Sequence, residues 1–343
     1  MMTRALGVCC ILLAGLLLSA CDGSNFRADP SKNSTRILGR RVWVTVTTDG
    51  GRHLEVRRSV RIERGETAAS VLAQVADVRY SPEGALAQVN GMGGGTAGPF
   101  GPRQEAWFYR VDGIEGTSVR PNKFLVKPGQ SIWWDLRRYD MYDTLPVAVG
   151  EFPQPLFTGW RSSGRPLRIA YGSKFRDDAQ YFRDKIFQKI EPDVVSIDGS
   201  DNGGGVGGIG GEDTGDTNGP SGIVAVRLKR ANLVIARWEE VLTDPNLADI
   251  NFANRDFGIT AWIEGSGTEI WRQDPDVEFP RRVPDAVGLV WASTTDSQAD
   301  GPLVFMVTGT TDRGVHAAAQ ALASGSCQFY LTCLVDKDGG VIN

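Results

Sequence analysis

The sequence predicts two unlike units in series. Residues 40–145 read as an α+β unit, a stranded sheet with one helix, and residues 167–343 as an α/β unit with a mostly parallel or mixed sheet. Three observations predict this. Apolar and polar residues alternate with period two through the first stretch, interrupted once by a helical stripe. Strand and helix patterns alternate through the second, the order of a βαβ unit. Between them, residues 146–166, "PVAVGEFPQPLFTGWRSSGRP", hold too much Pro and Gly for a regular element.

In "VWVTVTT", Val42, Val44 and Val46 share one face while Trp43, Thr45 and Thr47 share the other. "LEVRRSVRI" repeats the alternation less cleanly. "RGETAASVLAQVADV" turns at Gly65, is capped by Thr67 and places Ala68, Val71, Leu72 and Val75 on one helical stripe. Strands then follow in "ALAQVNG", "EAWFYRVDG", a short segment around "KFLVKPG", and "SIWWDLRRYD". Trp107, Phe108 and Tyr109 are consecutive, so the pleat cannot send all three rings into one core. Period two groups Trp107, Tyr109 and Val111 with Ile132, Trp134 and Leu136 as the core set. The opposite face then presents Trp43, Phe108 and Trp133 beside Arg110, Asp135 and Arg137. An apolar patch of this kind marks an interface, and two occupants fit it equally: the second unit or a ligand.

In the second unit "LRIAYGS" is a buried strand, followed by a helix from Lys174 to Ile190, with Ser173 as its cap and Asp177 and Asp178 at its positive end. "DVVSID" completes a βαβ unit. Residues 198–222, rich in Gly and Asp, read as a solvated loop; a calcium-binding role is the alternative that oxygen ligands suggest. "GIVAVRLKR" and "ANLVIARWEEVL" contain a strand and a helix with no sharp boundary, and "FGITAWIEGSGTEIW" reads as a hairpin through Gly265-Ser266-Gly267. "AVGLVWAST" and "PLVFMVTGT" are buried strands, and "DRGVHAAAQALASG" is a helix ending at Gly325. The junction of that last strand and helix lines up Thr308, Thr310, Thr311 and Arg313. It is either an anion site at a helix N-terminus or ordinary capping by Thr311.

The chain opens with Arg4, an apolar run from Ala5 to Leu18, and then Leu18-Ser19-Ala20-Cys21. The run is short for a membrane span and ends on small residues, as secretory signals do. Ending at Cys, it resembles a bacterial lipoprotein signal with a lipobox. That resemblance implies removal of residues 1–20, lipid on Cys21, a polar tether over residues 21–39, and a protein held by its lipid at the extracytoplasmic face of the cell membrane. With Cys9 and Cys10 removed and Cys21 acylated, Cys327 and Cys333 remain. In an oxidising compartment they read as a disulfide, with two free buried thiols as the alternative.

The strand "W-x-Y-x-V-D-G" (Trp107, Tyr109, Val111, Asp112, Gly113), followed by Val126, Lys127, Gly129, Ile132 and Trp134 and preceded by "QVNGM", resembles a bacterial domain of unknown function related to the C-terminal domain of transcobalamin and intrinsic factor. The resemblance covers roughly residues 40–145. It implies a β-grasp-like sheet with one helix, and a corrinoid or other small organic cofactor as the ligand of Trp43, Phe108, Arg110, Trp133 and Arg137. The sequence departs from that family in two ways: no helical repeat array accompanies the domain, and Asp112 stands where Asn is usual, in a tight turn that either residue makes.

A net charge of −4 with mixed signs gives no basic field for nucleic acid. Neither Gly-rich run is followed by the Lys of a phosphate loop. No catalytic constellation is legible: there is no Gly-x-Ser-x-Gly, no His-Glu-x-x-His and no Cys with a His partner. His53 and His316 are the two histidines, and His316 reads as packed or surface, with ligation of a corrinoid cobalt as the alternative. The expectation is therefore a non-enzymatic, lipid-anchored binding protein that needs no cofactor or metal of its own. It would pass a cobalamin-like ligand to an energy-coupling-factor-type transporter. The alternative is an envelope module that recognises protein or glycan without transport.

Overall fold

The computed structural model describes residues 40–82, 84–93, 105–115, 119–138, 147–158, 167–197, 232–253, 259–273, 279–294 and 302–342. The signal segment 1–20, the tether 21–39 with its Cys21, the loop 198–222 and the "GIVAVRLKR" stretch lie outside the described residues. The chain is mixed α+β, mostly strands, and the described strands form four sheets with parallel and antiparallel pairings.

The amino-terminal elements are β1 (Arg41–Thr48), β2 (His53–Arg61), α1 (Ala68–Leu72), β3 (Val78–Tyr80), β4 (Leu86–Val89), β5 (Met92–Gly93), β6 (Glu105–Val111), β7 (Ile114–Glu115) and β8 (Ser131–Arg138). Five of them make a sheet in the order β2-β1-β8-β6-β7, with β1 and β8 parallel at its centre and the remaining pairs antiparallel. The pleat sorts the side chains as the period predicts. Val42, Val44, Val46, Tyr109, Val111, Ile132 and Trp134 form one core with Ala68, Val71 and Leu72 of α1. Tyr109 and Trp134 stack at 5.1 Å between centroids, and burial pushes the Tyr109 hydroxyl up to about 12. Thr67 caps α1 by accepting from the Ser70 amide, and the Ser70 hydroxyl accepts from the Thr67 amide. The helix is shorter than its apolar stripe: Val75 packs on the core from beyond its end. The "KFLVKPG" segment is no strand: Leu125 makes an isolated bridge to Thr67, the Gly129 amide donates to the Arg41 carbonyl of β1 at 2.7 Å, and Val126 packs into the sheet's core.

The carboxy-terminal elements are α2 (Gln154–Thr158), β9 (Arg168–Tyr171), α3 (Arg176–Tyr181), β10 (Asp193–Ser196), β11 (Asn232–Ile235), α4 (Trp238–Val241), α5 (Pro245–Phe252), β12 (Ala261–Ile263), β13 (Ile270–Arg272), β14 (Arg281–Arg282), β15 (Ala286–Thr294), β16 (Leu303–Gly309), α6 (Asp312–Ser324), β17 (Cys333–Asp336) and β18 (Val341–Ile342). Seven strands form a sheet in the order β10-β9-β11-β16-β15-β17-β18. Its first four strands are parallel and the rest are antiparallel additions. Both faces are covered, which is why β15 and β16 read as unbroken apolar runs. The helix expected over residues 174–190 is two pieces: α3, then a π-helical stretch from Phe182 to Ile186. Ser173 does not cap it; its backbone and hydroxyl are directed to Glu240 instead. α6 runs as expected from its Thr311 cap to Gly325, which closes it at φ 79°.

Candidate functional site

The face of the amino-terminal sheet opposite its valine core carries Trp43, Thr45, Thr47, Phe108, Arg110, Trp133, Asp135 and Arg137, as the alternation requires. It is not open. Trp133 and Arg110 are fully buried and Arg137 nearly so, while Trp43 and Phe108 keep part of their surface. What covers Trp133 is the turn closed by the disulfide Cys327–Cys333, which brings Phe329 and Leu331 onto the indole, with Ala148 alongside.

The contact is tight at the backbone. Gly51, at φ +92°, lies so close that a Cβ on it would fall 1.3 Å from the Phe329 carbonyl oxygen; one on Gly150 would fall 2.3 Å from the Phe329 amide nitrogen. The Gly150 amide donates to the Tyr330 carbonyl at 2.8 Å. Arg57 reaches across, its guanidinium 4.8 Å from the Phe329 ring centroid and 5.6 Å from that of Trp43.

Beneath the aromatic contact lies a charged network. The Trp133 indole N–H donates to the Thr47 hydroxyl at 2.7 Å, and that hydroxyl donates to Asp135 Oδ1 at 2.7 Å. Glu115 lies 3.9 Å from Arg110 and 3.6 Å from Arg137. The Arg137 guanidinium covers the Phe108 ring at 3.8 Å, and among the described residues neither it nor Asp135 Oδ2 has a hydrogen-bond partner. Burial and the neighbouring Arg110 charge pull Arg137 down to about 10, while burial raises Asp135. At the edge, Ser131 joins two carboxylates: its amide donates to Asp112 Oδ1 at 2.9 Å and its hydroxyl to Glu151 Oε1 at 3.2 Å. Burial, then the Asp112 charge, push Glu151 up to about 7.

The second predicted group disperses. Thr308 is buried, Thr311 accepts from the Gly314 amide at 3.0 Å as a cap, and exposed Arg313 pairs with Asp338 at 2.8 Å. What gathers at the carboxyl ends of β9, β11 and β16 is a different set. Sequence order and spatial order part here, since β10 lies on one side of β9 and β11 on the other, so this is a topological switch point. Glu240 fills it, accepting from the Ser173 amide at 2.9 Å, the Ser173 hydroxyl at 3.0 Å and the Arg237 amide at 3.0 Å. Outside it, Lys174 pairs with Asp312 at 2.6 Å and Arg237 with Glu239 at 2.8 Å. His316 is held by Asp178 at 2.6 Å and packs edge-on to Phe175. The period of the strands gives no sign of Glu240, because Ser173, the partner that places it in the crevice, comes from a loop 67 residues away.

No family model matches the chain, and no curated protein matches it. Among solved structures, a chain from Ruminococcus gnavus, provisionally described as a metal binding protein, is similar at 16% identity and a TM-score of 0.21, over 29% of this chain and 97% of its own. Among the described residues no group of three His, Cys, Asp or Glu side chains is placed to hold a metal ion, and no helix is long and apolar enough to cross a membrane.

Proposed function

We propose that this chain is a lipid-anchored protein of the extracytoplasmic membrane face, tethered through Cys21, that binds a small organic ligand and hands it on without transforming it. A β-grasp-like amino-terminal domain and an α/β carboxy-terminal domain make up the mature protein, and the ligand class is a corrinoid or a similar planar cofactor. What supports the reading is the placement of the motif residues. Trp107, Tyr109 and Val111 on β6 and Ile132 and Trp134 on β8 lie on adjacent strands, with β8 parallel to β1, the strand order of a grasp sheet. Their pleat partners Phe108, Arg110 and Trp133 form an aromatic and cationic face, covered here by the 327–333 turn, whose chemistry suits a flat conjugated ligand with amide or acidic groups. An energy-coupling-factor-type transporter would be the acceptor.

The experiment is a titration of the mature protein with cobalamin and cobinamide, read by visible absorbance and tryptophan quenching. Saturable quenching at micromolar ligand is the expected result. A flat response to both removes the corrinoid reading and leaves the alternative, an envelope module that recognises protein or glycan. One observation favours that alternative: the aromatic surface is already occupied by the 327–333 turn.

A further inference from the structure

Phe329 is held with φ at 69°, a left-handed conformation that a bulky residue avoids. Such a conformation persists only where its surroundings over-determine it, and such sites cluster at clamps and switches. The surroundings do so here. A disulfide six residues long closes the turn behind Phe329, Gly51 and Gly150 give up side chains to admit its backbone, and Arg57 and Trp133 flank its ring. The cluster it joins is small, Trp133, Ala148 and Leu331 with Phe329 packed on them, and separate from the larger cores on either side. The ring therefore fills a pre-shaped slot with an aromatic side and a cationic side, and Phe329 itself stays partly exposed to solvent.

We propose that the Phe329 ring is a built-in occupant of an aromatic-ligand site formed by Trp43, Arg57 and Trp133, and that a planar ligand bearing an acidic or amide group binds by displacing it. The proposal deepens the binding reading above by naming the subsite and its gate, and it rests on that reading only for the size of the natural ligand. Displacement needs no covalent step: the ring moves out and the ligand takes its contacts with the indole and the guanidinium.

The test is Phe329→Gly in the full mature chain. Glycine accepts the left-handed backbone, so the turn and the disulfide persist while the ring is removed. Benzoate and indole are the probes, read by thermal shift and by tryptophan emission. Expected are saturable binding of benzoate at least tenfold tighter in Phe329→Gly than in the unsubstituted protein, and loss of that gain when Arg57→Gln is added. Hydrogen exchange of the β15 and β16 amides, unchanged by the substitution, checks that the carboxy-terminal sheet stays folded. Equal binding by both proteins, no binding by either, or a gain that survives Arg57→Gln overturns the proposal, as does exchange showing that Phe329 is needed to hold β15 and β16 together. A flat cobalamin titration alongside a positive benzoate result overturns only the corrinoid reading, so the two failures are distinguishable.

Discussion

At the scale of single residues, the seam between the two large sheets is decided by what cannot be added to it. Gly51 combines a positive φ with a backbone approach that leaves no room for a methyl group. Gly51→Ala is expected to cost at least about 2 kcal/mol, from the conformational penalty and the displaced turn together; thermal unfolding checks it. Glu151 makes the seam sensitive to pH. Its carboxyl titrates near 7 in the folded protein against an ordinary 4.5, so the folded state holds the proton more tightly. Stability from this group is present below about pH 4.5 and declines as pH rises towards and through 7. Asp112 opposes its ionisation, Arg110 and Arg57 favour it, and the Ser131 hydroxyl donates to it. The fall has a ceiling of about 3 kcal/mol, reduced by the solvent contact that Glu151 retains. Urea melts from pH 4.5 to 8 should show the decline in the unsubstituted protein and a flatter profile in Glu151→Gln. The charged face beneath shows why this region is specific: Arg110, Arg137, Glu115 and Asp135 are buried together, and removal of one strands the others in a medium that cannot solvate them.

At the scale of elements, the turn between α6 and β17 is the joint that matters. The Cys327–Cys333 bridge closes a loop of a few residues, for which the loss of unfolded-state entropy is about 2 kcal/mol. Cys327→Ser with Cys333→Ser should lower stability by that order, and a reductant should reproduce the shift in the unsubstituted protein and leave the double variant unchanged. Most elements were legible one by one. β1, β6 and β8 alternate cleanly because one face meets apolar residues and the other meets charge. β15 and β16 lose the alternation because helices and a small sheet cover both sides. The segment before α3 differs from the expected capped start for a physical reason. Ser173 has the chemistry of a cap, yet Glu240 offers its carboxylate to the same amide and hydroxyl, and a charged acceptor outcompetes the local bond. The π-helical stretch after Tyr181 likewise leaves no signature in a stripe of apolar residues that still reaches the core through Phe182 and Ile186.

At the scale of the whole molecule, the lipid-anchor reading makes its own prediction. Cys21→Ser should abolish incorporation of radiolabelled palmitate and move the protein from the membrane fraction to the soluble fraction, while thermal unfolding of residues beyond the tether stays unchanged. Retention in the membrane fraction with Cys21 replaced would sink the lipoprotein assignment. The two predicted site groups fared differently at this scale. Trp43, Phe108, Arg110, Trp133 and Arg137 share one face, as the period requires, and that face is lined by the chain's own turn. Thr308, Thr310, Thr311 and Arg313 lie within one short stretch of sequence but look to different neighbours, and the switch point beside them belongs to Glu240.

The sequence by itself determined which residues share a face, that α6 ends at Gly325, and that Cys327 and Cys333 had each other as candidate partners. These follow from covalent geometry and from periods of two and 3.6, which act within one element. Only the tertiary structure decided that a disulfide turn 196 residues further along would press Phe329 against Trp133, and that Glu240 would fill the crevice between β9 and β11. Such contacts depend on how separate elements pack, and the order of residues along one strand carries no record of what settles on it from the far end of the chain.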